Sequence, residues 1–85
     1  MFTLLMDLGK VAGKAIKGGV ATYKEAKGDV TPERLATVIL KDVNGWEPTV
    51  NKRKILTPPL RAKLAQSLAG LAYNIGAAEA GRELV

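Results

Sequence analysis

Three features predict an all-α fold. Leucines recur at helical spacing near the C-terminus, an amphipathic stretch backed by lysines fills the N-terminus, and two Thr-Pro steps each open a helix. The predicted architecture has two long helices, at about residues 2–27 and 58–80, in a hairpin-like arrangement. A short middle helix at about 32–43 and an irregular linker at 44–57 join them. Eighty-five residues form a single small helical domain. A chain this short buries only about 60% of the surface its unfolded form exposes, so its own core is marginal.

Residues 2–27 carry Leu4, Leu8, Val11, Ala15 and Gly19 on one side. Leu5, Ala12, Ile16, Val20 and Tyr23 flank them. Lys10, Lys14, Lys17 and Lys24 fall within about 80° of each other on the opposite side. Gly9, Gly13, Gly18 and Gly19 each lower helix propensity by up to about 1 kcal/mol relative to alanine. The helix therefore needs a partner surface, and its weakest point is Gly18-Gly19. Gly9-x-x-x-Gly13 has the spacing that lets two helices cross closely.

Lys27-Gly28-Asp29-Val30 reads as a turn. Thr31 then caps the second helix, with Pro32 at its first position and Glu33 in its first turn. Leu35, Ile39 and Val43 form its buried line, Ala36 and Leu40 lie beside it, and Asn44-Gly45 is the stop. Residues 46–57 show no helical period, and Pro48 holds Glu47 toward extended geometry. Trp46 is expected to fold back near the end of the second helix. Val50 and the Ile55-Leu56 pair either pin the linker to the core or form a short extended arm.

Thr57-Pro58 repeats the cap chemistry and starts the third helix. Leu60, Leu64, Leu68, Leu71 and Ile75 fall within roughly 80° of arc. A second face is built of Ala62, Ala65, Ala69, Ala72, Gly76 and Ala80. Small residues let another backbone approach closely. Beyond Gly76 the stripe gives way to Glu79, Arg82 and Glu83, and Gly81 is the expected stop.

The chain has no cysteine and no histidine, which removes disulfides, thiolate metal sites and the usual metal ligand and general base. Ser67 is the sole serine, without triad partners, and the glycines match no phosphate-binding loop. Glu79 and Glu83 read as a solvated helix end. No catalytic, cofactor or metal site is expected, and an enzyme is not.

The expected role is that of a helical assembly or adaptor subunit, joining copies of itself or another protein. Its interface residues are Leu60, Leu64, Ala65, Leu68, Ala69, Leu71, Ala72 and Ile75. A formal charge of +5 and a pI near 9.8 permit an acidic partner. Along the chain the excess sits on residues 1–27, where five lysines face Asp7 and Glu25. One alternative is a peripheral membrane protein using Lys10, Lys14, Lys17 and Lys24 beside an apolar N-terminal side. A further one is a weak nucleic-acid binder using Lys52, Arg53 and Lys54, with Arg61 and Lys63 nearby. With no basic leader and no apolar run near 20 residues, the expected location is the cytoplasm or a multi-subunit particle.

Overall fold

The computed structural model describes residues 2–83, with side chains described for residues 7–81. Three helices dominate: α1 at Phe2–Glu25, α2 at Pro32–Asn44 and α3 at Pro58–Glu83. A small hairpin of β1, Thr49–Val50, and β2, Arg53–Lys54, lies between α2 and α3. The two long helices and the short middle one are those the sequence predicts. At about 1.5 Å per residue, α1 and α3 are roughly 36 and 39 Å long. The molecule measures 50 × 23 × 15 Å, with a radius of gyration of 14.0 Å. A compact domain of this length would have about 12 Å.

The hairpin relation differs from the expectation. Gly19 meets Ala72, Tyr23 packs on Gly76, and Lys24 pairs with Glu79, so α1 and α3 climb in the same direction. Each turns back on α2 instead, giving an up-down-up bundle. Two reversals separate α1 from α3, and two reversals restore the original direction.

The core draws its bulk from α2. Leu35, Ile39 and Val43 are fully buried, contributing about 1.5–3 kcal/mol each. Around them α1 sets Ala15 and α3 sets Ala65, Leu68, Ala69 and Ala72. The close approach is at Gly19, where a Cβ would lie 2.7 Å from the Ala72 Cβ and 3.1 Å from Ile39 Cδ1. Helix α1 runs unbroken through Gly18-Gly19, because the missing side chain is what seats it on α3. Gly76 is the second such point, lying beneath the Tyr23 ring. Tyr23 also meets Tyr73 edge to face, with centroids 5.3 Å apart. Gly9 and Gly13 face open space, so the Gly-x-x-x-Gly spacing makes no contact within this chain.

Local chemistry fixes the helix ends. At the end of α1 the Gly28 amide donates to Tyr23 O and the Lys27 amide to Lys24 O, with Lys27 at φ 54°. That is a Schellman close. Thr31 Oγ1 accepts from the Arg34 amide at 3.2 Å, capping α2. Gly45 stays right-handed at φ −77°, so the stop at Asn44 does not use glycine's freedom. The Trp46 amide closes the last turn on Val43 O, and Pro48, which is buried, ends helical bonding. Asn51 and Lys52, at φ 54° and 65°, form the two-residue turn that matches strand twist. Leu56 packs on the core and Trp46 is half-buried at the end of α2, whereas Val50 and Ile55 stay exposed. The linker is therefore an extended arm held at its base. Helix α3 continues past Gly76 and Gly81 to Glu83, with Glu79 drawn onto Lys24 at 2.6 Å.

Packing decides the sign of two alanine substitutions. Gly13→Ala should raise stability by about 0.5–1 kcal/mol through helix propensity alone. Gly19→Ala should lower it by about 1–3 kcal/mol, since its Cβ overlaps Ala72. Urea unfolding followed by circular dichroism measures both.

Candidate functional site

The faces of α3 have separate fates. Ala65, Leu68, Ala69 and Ala72 are buried inside the protomer, so they are packing residues and cannot reach a partner in the folded chain. Leu60, Leu71 and Ile75 stay 47%, 52% and 40% exposed, and Leu64 is half-buried. At 100° per residue, these four span about 60° of the helix.

That exposed edge continues onto α1. Ile16 and Val20 line a shallow groove of about 320 Å³ together with Ile75. Lys17, Lys24 and Glu79 form its polar margin. An apolar floor with a charged rim is the anatomy of a protein contact. Across α3, a second open groove of about 530 Å³ runs along α2, floored by Ala36, Leu40, Ala62 and Ala65.

The lysines predicted to form one face divide as well. Lys10, Lys14 and Lys17 are exposed on the outer side of α1. Lys24 is tied to Glu79, a half-exposed pair worth about 0–1 kcal/mol. The apolar side that α1 would lay on a bilayer is occupied, since Ala15, Gly19 and Tyr23 are buried. Leu8 remains exposed on α1. Lys52, Arg53 and Lys54 are all exposed on the hairpin.

Arg61 does not join that basic cluster. Its side chain is buried and its donors are engaged. Nη1 reaches Val43 O and Trp46 O, each at 2.7 Å, and Nε reaches Leu56 O at 3.1 Å. Nη2 pairs with the Glu47 carboxylate. One planar guanidinium thus satisfies carbonyls at the end of α2 and on both sides of the hairpin. Sequence reasoning set Arg61 beside Lys63 as a phosphate contact. The available signal was its position, four residues before Ala65 on the side that Leu68 and Ala72 continue.

Among the described residues, no group of three or more acidic, histidine or cysteine side chains could hold a metal ion, and no helix is long and apolar enough to cross a membrane. No protein-family model, curated protein or solved structure matches this chain.

Removing the clamp should be expensive. Arg61→Ala leaves the Trp46 and Leu56 carbonyls without their donor, Val43 O keeping the Trp46 amide, and is expected to destabilise the fold by roughly 2–3 kcal/mol or more. Arg61→Lys should recover only part of that, because an ammonium cannot reproduce the fork. Denaturant midpoints of the two variants provide the comparison.

Proposed function

We propose that this chain is a non-enzymatic helical assembly subunit that self-associates through the apolar edge of α3 and the adjoining side of α1. The observation that carries this reading is the exposure of Leu60, Leu71 and Ile75 in a fold that buries its alanines. A short chain that keeps three large aliphatic side chains in solvent gains by covering them, since hydrophobic burial stabilises in proportion to the area removed from water. The elongated shape supports it further, because a long edge offers contact area that a compact domain lacks. Lys17 and the Lys24–Glu79 pair would lie at the rim of the contact. The absence of cysteine and histidine from the sequence supports a role without catalysis. A place in the cytoplasm or within a multi-subunit particle belongs to the same proposal.

Protomers of charge +5 repel one another, so added salt should strengthen this association. Binding to an anionic partner would respond in the opposite direction.

Light scattering coupled to size exclusion, across a concentration series, should show a multiple of 9.0 kDa. Leu71→Asp and Ile75→Asp should each weaken association about tenfold or more while leaving the helical spectrum intact. Substituting Leu68 would not test the idea, because Leu68 lies in the core and aspartate there would unfold the protomer. A wild-type chain that stays at 9.0 kDa at every concentration would refute self-association.

A further inference from the structure

The charge of this protein is concentrated at one end. Gly19, Ile39 and Ala72 meet midway along the bundle. On the hairpin side of that level lie residues 7–17 and 41–70, which carry nine basic and three acidic residues. Residues 18–40 and 71–81 carry three basic and four acidic residues, so the hairpin end is near +6 and the opposite end near −1. Eight of the nine basic side chains are exposed, Arg61 being the exception. The tip of this end combines charge with apolar surface. Val50 and Ile55 are 45% and 37% exposed, and Lys52, Arg53 and Lys54 separate them along the chain. The Val50↔Arg53 pairing puts these two residues on one face of the ladder, with Ile55 two residues beyond Arg53.

We infer that the hairpin end docks on an anionic lipid surface. Lys52, Arg53 and Lys54 meet the headgroups, and Val50 and Ile55 enter the interfacial layer. Charge complementarity selects the surface, and the apolar tip separates lipid from nucleic acid. Exposed aliphatic side chains gain by entering the headgroup and acyl boundary. A single-stranded nucleic acid is held by aromatic platforms. No aromatic residue lies within the 49–55 hairpin. The hairpin is well suited to the task because Arg61 anchors its base, through Trp46 O, Leu56 O and Glu47, while its two-residue turn projects.

The test is co-sedimentation of the full chain with vesicles of phosphatidylserine and phosphatidylcholine in equal parts, at low salt. Binding should fall steeply with added salt and vanish on pure phosphatidylcholine. Each basic residue near such a surface changes partitioning about fivefold. Arg53→Gln with Lys54→Gln should therefore lose roughly 25-fold. Lys27→Asn with Arg34→Gln, an equal loss of charge at the opposite end, should lose far less. Val50→Ser with Ile55→Ser should weaken binding while leaving its salt dependence unchanged. All of these residues but Arg34 lie outside the helices and all are exposed, so circular dichroism should be unaltered. Failure to sediment with the anionic vesicles would overturn the inference, as would equal losses for the two charge-matched pairs. Release from the vesicles by double-stranded DNA at equal phosphate concentration would overturn it in favour of nucleic acid. The solution mass of the protein bears on self-association alone, so either proposal can fail without the other.

Discussion

The close approach of α3 to its neighbours governs the rest of this structure. Ala65, Ala69, Ala72 and Gly76 give α3 a side on which Gly19 and the Tyr23 ring can sit nearly against the backbone. Such a seam needs one partner to supply volume, and α2 supplies it with Leu35, Ile39 and Val43. Once the small side of α3 is turned inward, the leucines about a third of a turn away have nothing left to cover them. The exposed edge is thus a consequence of the seam, because a helix can present only one arc to the centre of a three-helix bundle.

A second constraint operates at the turn into α3. The end of α2 and the extended arm after it present carbonyls that no helix or strand bond satisfies, and buried carbonyls left unpaired are destabilising. Arg61 meets two of them, Trp46 O and Leu56 O, adds a second donor to Val43 O and pairs with Glu47. Its charge is spent inside the fold, whereas Lys52, Arg53 and Lys54 on the hairpin it anchors remain in solvent. The same connection therefore creates both the mechanical base and the charged tip. The charge distribution also changes meaning in three dimensions. Along the chain the excess belongs to the first 27 residues, but in space the end of α2, the hairpin and the start of α3 join the front of α1.

Much of the local structure was legible. The period of Leu35, Ile39 and Val43 gives the buried line of α2 because only one arc of that short helix is apolar. Thr31-Pro32 marks its start because cap chemistry acts within four residues. The candidate site was half legible. Leu60, Leu71 and Ile75 belong to a stripe that the spacing reveals, but Ala65, Leu68, Ala69 and Ala72 stood beside them as equal interface candidates. Helix α3 is apolar on two sides, and periodicity has no means of ranking two apolar sides. Arg61 was hidden for a related reason, since a buried arginine and a solvated one look alike until the carbonyls around it are placed.

By itself, then, the sequence determined the helices, the threonine caps that open α2 and α3, and the filling of α2, since these depend on residues within one or two turns of each other, together with the lack of cysteine and histidine chemistry. Only the tertiary structure decided that α1 and α3 run parallel, that glycine is required at Gly19 but not at Gly13, and that the leucine edge faces outward. It also decided that the positive charge gathers at the hairpin end. Each of these depends on which surfaces from distant parts of the chain compete for the same neighbour, and that competition is settled by packing.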